Sequence, residues 1–263
     1  MKDYLYSNYI VEEKIYIENI PAILFRPKDV EGTIPTIIFY HGWGSNKESQ
    51  RIRGLIFATV GFQVLIPDGI YHGERNPIDY TTASGKYFWE TILNNMEESN
   101  LLIEQIIMKY QGDPDNIFLT GHSMGGFTAA GIFTHNPMIK SLVVLNGSCA
   151  WKNSNDIFKK YLGIKMTEDL KEIEEKIEKL DPYNNLELFK DRPALILHGD
   201  SDSIVSIDSQ RLFIQKLQPL YKNKKNIKLV EYPNLNHYVT TNMMEESISW
   251  LCEVKRFNNG EII

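Results

Sequence analysis

Residues 117–127, IFLTGHSMGGF, contain the clearest functional signal in this chain. A short β-branched and aromatic run ends abruptly at a glycine-rich turn around Ser123, and a helix-compatible segment follows directly. This is the G-x-S-x-G pattern between a strand and a helix, in which a nucleophilic serine lies on a sharp turn. The alternative is a glycine-rich strand–helix turn with an incidental serine, and the rest of the chain bears on that choice.

The glycines around Ser123 agree with a strained turn. Such a turn leaves little room for Cβ atoms, so Gly121 and Gly125 would let the strand and the helix approach closely, and Gly126 extends that clearance. The serine hydroxyl would then lie at a helix N-terminus, where free N–H groups and the helix dipole favour negative charge. One N–H donor for such a charge is expected from Met124, the residue after the serine.

Length and composition are those of an ordinary globular α/β domain. The chain has 263 residues, 43% of them hydrophobic and 24% charged, and single α/β domains often run to about 250 residues. One domain spanning residues 1–263 is therefore expected. The net charge of −6 argues against nucleic acid or an anionic membrane as a partner. A small-molecule partner is expected instead, with the protein a monomer or a homodimer.

The cysteines and the N-terminus favour a cytoplasmic location. Cys149 and Cys252 are too few for a disulfide framework. The first 14 residues contain early charges and no apolar core, so no signal peptide is expected, and no apolar run approaches 18 residues.

Strand and helix patterns alternate along most of the chain, which predicts an α/β fold. Residues 4–27 read as an antiparallel strand pair, and six buried strands are expected at 35–40, 63–67, 117–120, 142–145, 193–197 and 228–232. Helices are expected at 47–60, 82–111, 127–134, 206–220 and 242–256. The prediction is a mostly parallel eight-stranded sheet with helices on both faces.

Residues 149–190 interrupt this alternation. They are rich in charge and lack a strand pattern, and residues 167–180 read as an amphipathic helix with Thr167 as its N-cap. An insertion that forms a small cap or lid is one interpretation. A solvated surface helix with no role at the site is the other.

Residues with chemical potential follow the predicted strands, at the sheet edge where ligands bind in such folds. A serine nucleophile needs a base and an orienting acid, in the chain order serine, acid, histidine. Asp202, in LHGDSDSIV, and His237, in NLNHYVT, fit that order. Asp200 is the competing acid. His198 is a weaker competing base, because it precedes Gly199 in a predicted tight turn where it would satisfy backbone groups.

A second N–H donor is expected from the HGWG turn after the first buried parallel strand, with Trp43 as the best candidate. The indole of Trp43 could also wall a pocket, and a plain strand-end turn is the alternative.

The motifs HGWGSNKE, PDGIYHGER, GHSMGG, HGDSDSIV and NHY together resemble the α/β-hydrolase superfamily. Within it, the chain is similar to bacterial carboxylesterases of the dienelactone-hydrolase and prolyl-oligopeptidase-like branch. The resemblance implies Ser123 as nucleophile, His237 as base and Asp202 as its orienter, with no metal or organic cofactor. Position 123 is serine and not the cysteine of dienelactone hydrolases, so a dienelactone substrate is less expected. Asn236 stands where many relatives have glycine.

Two further segments have both a structural and a functional interpretation. The 72–75 segment lies near the active-site rim in this family and is expected to shape a loop, although Glu74 or Arg75 could contact a polar substrate group. The aromatic run Tyr87, Phe88 and Trp89 is expected to pack as core, although it could line an acyl pocket.

These patterns predict a serine carboxylesterase that hydrolyses small to medium esters. One alternative is a peptidase, because the prolyl-oligopeptidase branch uses the same triad. The other is a catalytically silent ligand-binding protein with this fold.

Overall fold

The computed structural model describes residues 7–82, 85–162 and 168–258, and one eight-stranded sheet organises them. The strand order across the sheet is β1-β2-β4-β3-β5-β6-β7-β8. The strands are β1 Ile10–Ile17, β2 Ile20–Pro27, β3 Ile34–Tyr40, β4 Gln63–Pro67, β5 Gly112–His122, β6 Ser141–Leu145, β7 Ala194–Gly199 and β8 Ile227–Tyr232.

Most strand pairs are parallel, as predicted. β1 and β2 form an antiparallel hairpin that joins β4 antiparallel. From β4 through β3 and on to β8 every neighbouring pair is parallel. The predicted pair in residues 4–27 corresponds to β1 and β2, and its residues 4–6 lie outside the described part of the chain.

Helices cover both faces of the sheet, because alternate residues of each central strand point to opposite sides. In β3, Ile38 and Tyr40 join a core with α2 Gly85–Lys109, α3 Met124–His135 and α6 Asp208–Leu217. Ile37 and Phe39 face the other side, with α1 Arg51–Thr59 and α7 Thr241–Asn258. In the part of the chain that the structure describes, no helix is long and apolar enough to cross a membrane.

β5 begins earlier than its sequence pattern suggests. The strand was expected at 117–120, after a break at residues 112–114, but it runs over Gly112–His122. Ile34 pairs with Gly112, and after a register shift Thr36 pairs with Ile117. A bulge of this kind accommodates Pro114, which has no N–H for the ladder.

The 149–190 region contains two helices, α4 Trp151–Leu162 and α5 Glu168–Leu180. α5 was expected, and its predicted cap Thr167 lies outside the described residues. α4 was not predicted. Its first N–H groups, those of Trp151 and Lys152, donate to the Asp181 carboxylate at 2.9 and 2.8 Å. Because the capping residue Asp181 follows α5, the sequence next to the start of α4 contains no capping signal.

Candidate active site

Ser123 lies at the turn between β5 and α3 and has a strained backbone, with φ 55° and ψ −121°. A positive φ is uncommon for a residue with a side chain, and such strain is concentrated at functional sites. Its N–H donates to the Leu145 carbonyl at 2.9 Å, and its own carbonyl accepts from Gly126 at 2.8 Å. Hydrogen bonds to a neighbouring strand and to the following helix therefore fix the turn from both sides.

The glycines of the turn are required for close approach, as the sequence indicated. A Cβ on Gly121 would lie 2.0 Å from the Gly125 carbonyl oxygen, and one on Gly125 would lie 2.0 Å from the Tyr40 carbonyl oxygen. Both contacts are with backbone, so a side chain at either position would push strand and helix apart.

The two predicted N–H donors belong to segments that meet at Ser123. Met124 is the first residue of α3, so its N–H has no acceptor within the helix. The turn that contains Trp43 follows β3, and a Cβ on Gly42 would lie 3.3 Å from the Ser123 Cβ atom. The structure thus brings the Trp43 turn directly against the serine.

Asp202 and His237 lie together beyond the ends of β7 and β8. His237 Nδ1 donates to Asp202 Oδ2 at 2.7 Å. The carboxylate is fully buried and also accepts the N–H groups of Ile204 and Val205 at 2.9 Å, with His198 Nε2 at 3.3 Å. Burial alone would raise the pKa of Asp202, but the hydrogen bonds from His198, His237 and the backbone outweigh it. They hold the pKa below its usual range, so the carboxylate stays ionised.

This hydrogen bond fixes the tautomer of His237. Because Nδ1 donates to the carboxylate, Nε2 has the free lone pair that a base requires. The His237 side chain is 17% exposed, and its ring centroid lies 5.0 Å from that of His122, the residue before Ser123. Burial, aided by repulsion from His237, lowers the pKa of His122 to about 3, so His122 adds no charge beside the elbow.

The competing acid and base have different surroundings from Asp202 and His237. Asp200 is exposed and accepts the Asn234 N–H at 2.7 Å and the Ser201 hydroxyl at 2.8 Å. His198 was placed in a tight turn by the sequence, but it lies within β7, fully buried. Its Nε2 faces the Val205 carbonyl at 2.9 Å, so it does satisfy a backbone group, and it also contacts Asp202.

The loops of the acid and the histidine are tied together by two asparagines. Asn236 Oδ1 accepts the N–H groups of Ser203 and His237 at 2.9 and 2.8 Å. This asparagine, a departure from the family pattern, therefore joins the two loops. Buried Asn146, at the end of β6, accepts from Gly199 N at 3.0 Å and donates to the Tyr238 carbonyl at 2.9 Å. The sequence had given no role to Asn146.

A buried ion pair lies beside the Trp43 turn and was not predicted. Lys47 Nζ, 1% exposed, donates to Asp68 Oδ2 and to Glu74 Oε1, both at 2.6 Å. Arg75 makes a two-point contact with Glu98 at 2.6 and 2.8 Å. Because protein partners already hold Glu74 and Arg75, the structural interpretation of the 72–75 segment is favoured over direct substrate contact.

The aromatic run at 87–89 lies in the first turns of α2, and its members have different surroundings. Trp89 is buried and donates from Nε1 to Asn155 Oδ1 at 2.9 Å. Phe88 is half-buried and lies edge-on to Trp43 and to Phe158 of α4, each with a centroid distance of 6.0 Å. Phe88 therefore joins the Trp43 turn to α4.

Among the described residues, 7–82, 85–162 and 168–258, no three or more His, Cys, Asp or Glu side chains are placed to hold a metal ion.

Comparison with known proteins shows that this chain is similar to hydrolases. A model described as the prolyl oligopeptidase family matches residues 93–258. YitV of Bacillus subtilis (strain 168), which is named as a candidate esterase, is 26% identical over 245 residues, or 89% of this chain and 95% of YitV. Esterase YjfP of Escherichia coli (strain K12) is 25% identical over 238 residues, with the same coverage of 89% and 95%.

Solved structures share the fold. TT1662 from Thermus thermophilus superposes with a TM-score of 0.76 at 20% identity, over 93% of this chain and 98% of that chain. Together with the strand order, this similarity confirms the predicted α/β-hydrolase architecture.

Proposed function

We propose that this chain, which belongs to the prolyl oligopeptidase family, is a serine carboxylesterase acting on small to medium esters. The predicted resemblance to esterases of this branch of the α/β-hydrolases is confirmed by the family match and by its esterase-named relatives. The chain is accordingly a serine hydrolase of esterase type. The acyl-serine mechanism, the residues that perform it and the substrate range are the proposal.

In the proposed acylation step, Ser123 Oγ attacks the ester carbonyl carbon while His237 Nε2 takes the hydroxyl proton. The carbonyl π electrons move to the oxygen, and the N–H groups of Met124 and Trp43 stabilise that negative charge. The intermediate then collapses, the bond to the alcohol oxygen breaks, and His237 returns the proton to the departing alcohol. Asp202 stays ionised throughout, holds the tautomer of His237 and stabilises its charged form.

Deacylation repeats the sequence with water. His237 takes a proton from the water as its oxygen attacks the acyl-serine carbonyl, and the same two N–H groups receive the charge. Collapse breaks the bond to Ser123 Oγ, which regains its proton from His237. The products are a carboxylic acid and an alcohol, with the enzyme unchanged and no cofactor in the proposed cycle.

The observation that carries this proposal is the 2.7 Å bond between His237 and Asp202 beside the strained Ser123 turn. It supplies a base with the correct tautomer, held by a buried carboxylate. Asp200 is exposed and bonds to Ser201 and Asn234, whereas the Asp202 carboxylate is buried and bonds to His237, which supports Asp202 as the acid.

We extend the proposal to the 149–190 region as a cap over the acyl side of the site. Phe158 of α4 packs against Phe88, which itself contacts the Trp43 ring, and lies 6.3 Å from Phe127 of α3. A cap that places an aromatic ring there would limit the length of the acyl chain. Phe158→Ala is expected to shift the preferred chain length upward.

A peptidase is the second candidate, because the matched family is described by its oligopeptidase activity. The same serine, acid and base would cleave an amide, with His237 protonating the departing amine. Cleavage of dipeptide or prolyl amides at rates comparable with esters would favour this function over esterase activity.

The direct test is hydrolysis of p-nitrophenyl esters from acetate to decanoate by the wild type, Ser123→Ala and His237→Ala. Activity that peaks at short to medium chains and disappears in both variants is expected. Activity that survives in Ser123→Ala would overturn the assignment of the nucleophile. An inactive wild type that does not react with a fluorophosphonate would support the silent ligand-binding alternative.

A further inference from the structure

The segment that lies against Ser123 exchanges hydrogen bonds with a second segment through a pair of histidines. Residues 41–47 contain Trp43, and residues 68–75 follow β4. His41 Nε2 accepts the N–H of Gly69 at 3.0 Å, while His72 Nε2 accepts the N–H of Gly44 at 3.2 Å. Each segment thus supplies one histidine acceptor and one glycine donor to the other.

Both histidines must be neutral and in the same tautomer for this exchange. His41 Nδ1 faces the Gly42 carbonyl at 2.9 Å, and His72 Nδ1 faces the Ile70 carbonyl at 2.8 Å. A carbonyl only accepts, so each Nδ1 has the proton. An amide N–H only donates, so each Nε2 must lack one. Each ring therefore bridges from its own segment to the other.

The rings are enclosed, which keeps them in that state. His41 is 2% exposed and His72 is fully buried. The His72 ring stacks on Tyr80 at 4.9 Å and lies edge-on to Trp43 at 5.1 Å and 5.0 Å from the His41 ring. Burial, with repulsion from His41, lowers the pKa of His72 to about 4.

The buried ion pair of Lys47 and Asp68 also joins the 41–47 and 68–75 segments. Lys47 donates to Asp68 from its backbone N–H at 2.9 Å as well as from Nζ. Asp68 also accepts the Glu74 N–H at 3.0 Å, so the chain wraps around this carboxylate. Gly73 permits the wrapping, because a Cβ there would lie 2.2 Å from Asp68 Oδ2.

We propose that His72, with His41 as its reciprocal partner, is a positioning residue for the Trp43 N–H in the oxyanion site. His72 Nε2 accepts the Gly44 N–H and so fixes the residue directly after Trp43. The bonds of His41 to Gly42 and Gly69 fix the residues before it. The 68–75 segment is then part of the catalytic scaffold, although neither histidine touches the reacting atoms. This inference rests on the proposed function, in which the Trp43 N–H binds the oxyanion.

The consequence is specific to the transition state. The developing oxyanion needs an N–H donor at a fixed position, whereas the uncharged carbonyl oxygen of the bound ester interacts more weakly with that donor. Displacement of the Trp43 N–H should therefore lower kcat and leave KM nearly unchanged. It should also weaken a trifluoromethyl ketone, whose adduct with Ser123 imitates the tetrahedral intermediate.

The test compares His72→Phe and His72→Gln with the wild type. Phenylalanine keeps an aromatic ring in the stack but leaves the Gly44 N–H without its acceptor, whereas the glutamine side chain can present an oxygen near the former Nε2. His135→Phe is the control, because His135 is exposed at the end of α3, where its Nε2 lies 3.0 Å from the Leu180 carbonyl. Each protein is assayed for ester hydrolysis, trifluoromethyl ketone affinity, fluorophosphonate labelling and thermal unfolding.

For His72→Phe, kcat is expected to fall about 10- to 100-fold, less than the about 10²–10³-fold loss on removing a donor itself. Inhibitor affinity should fall with kcat/KM, KM should stay within about twofold, and His72→Gln should recover part of the loss. If the wild type is active and is labelled, and a folded His72→Phe has the same kcat, the positioning role of His72 is wrong while the proposed function stands. A wild type that neither labels nor hydrolyses would overturn the proposed function as well.

A measurement on the wild type covers the case in which His72→Phe does not fold. Nitrogen-15 chemical shifts of the histidine rings at pH 7 should show His72 neutral, with its proton on Nδ1. A proton on Nε2, or a charged ring, is incompatible with the bond to Gly44 and would overturn the inference.

Discussion

The two sides of Ser123 are held by opposite kinds of chemistry. On the acid–base side, an ionised carboxylate accepts four N–H groups, and the histidine it orients is 17% exposed. On the other side, the Trp43 turn is held by two neutral histidines and a lysine that is 1% exposed. On the acid–base side, the charged Asp202 contacts the reacting histidine directly. On the Trp43 side, neutral histidines contact the turn, and the charged Lys47 and Asp68 lie beyond them.

The difference follows from what each side has to do in the proposed cycle. A proton must arrive at His237 and leave it, so its charged form needs stabilisation by Asp202 and its ring needs access to the substrate. The Trp43 N–H transfers nothing and has only to stay in place. Neutral, buried acceptors suit that task, since they hold a turn without placing a net charge beside the oxyanion.

The largest effect is expected on the acid–base side, from His237→Ala. Without a base, Ser123 keeps its proton, so kcat for a p-nitrophenyl ester should fall about 10⁴-fold or more. His135→Ala removes an exposed histidine at the end of α3 and should match the wild type in steady-state kinetics. Loss of less than tenfold in His237→Ala would mean that another group is the base.

The next largest loss of activity is expected from a change of the acid, Asp202. Asp202→Asn should lower kcat about 10⁴-fold, because an amide no longer selects the tautomer with a free Nε2. Asp200→Asn, a matched change two residues away, should leave kcat within about threefold of the wild type. Equal losses in the two variants would contradict the assignment of Asp202.

On the Trp43 side the largest effect should be on stability. Lys47→Met leaves the buried Asp68 carboxylate without its ammonium partner, and the free energy of unfolding in urea should fall by about 3–5 kcal/mol. Lys14→Met, at a lysine that is 48% exposed and paired with Glu48, should cost about 0–1 kcal/mol. A Lys47 variant as stable as the Lys14 variant would show that the buried pair does not hold the segments.

Acid should weaken the Trp43 side through its neutral histidines. The pKa of His72 is lowered to about 4 in the fold, so between pH 4 and about 6.5 the unfolded chain binds more protons than the folded one. Stability attributable to His72 is present above that window and is lost as the pH falls through it. The titratable groups facing the two histidine rings are Asp68, Lys47, Glu48 and Tyr80.

Urea unfolding at several pH values between 4.5 and 7 measures this loss. The slope of unfolding free energy against pH should be shallower in His72→Phe than in the wild type, by up to about 1.4 kcal/mol per pH unit. Asp202 does not account for the difference, since its lowered pKa acts below this window. Identical slopes would contradict a buried neutral His72.

Local patterns were sufficient for the fold and for the choice of the proposed site residues. Buried strands read as continuous apolar runs, and the glycines around Ser123 mark a turn whose geometry depends on adjacent residues. Asp202 and His237 could be selected because both follow predicted strands, and parallel strands end at one edge of the sheet.

Features that depend on distant partners could not be predicted. The start of α4 is capped by Asp181, the Lys47 ammonium is buried by a carboxylate on another loop, and His41 and His72 each pair with the other segment. None of these contacts produces a periodic pattern. The bulge in β5 was missed for a related reason: Pro114 reads locally as a break, and the strand continues because Gly112 and Ile117, on either side of it, both pair with β3.

Fluorophosphonate labelling followed by intact mass measurement and peptide mapping shows whether Ser123 is the nucleophile. One adduct on Ser123 is predicted in the wild type, with none in Ser123→Ala and much slower labelling in His237→Ala. An adduct on another residue, or one that persists in Ser123→Ala, would contradict the account, as would a folded wild type that does not react.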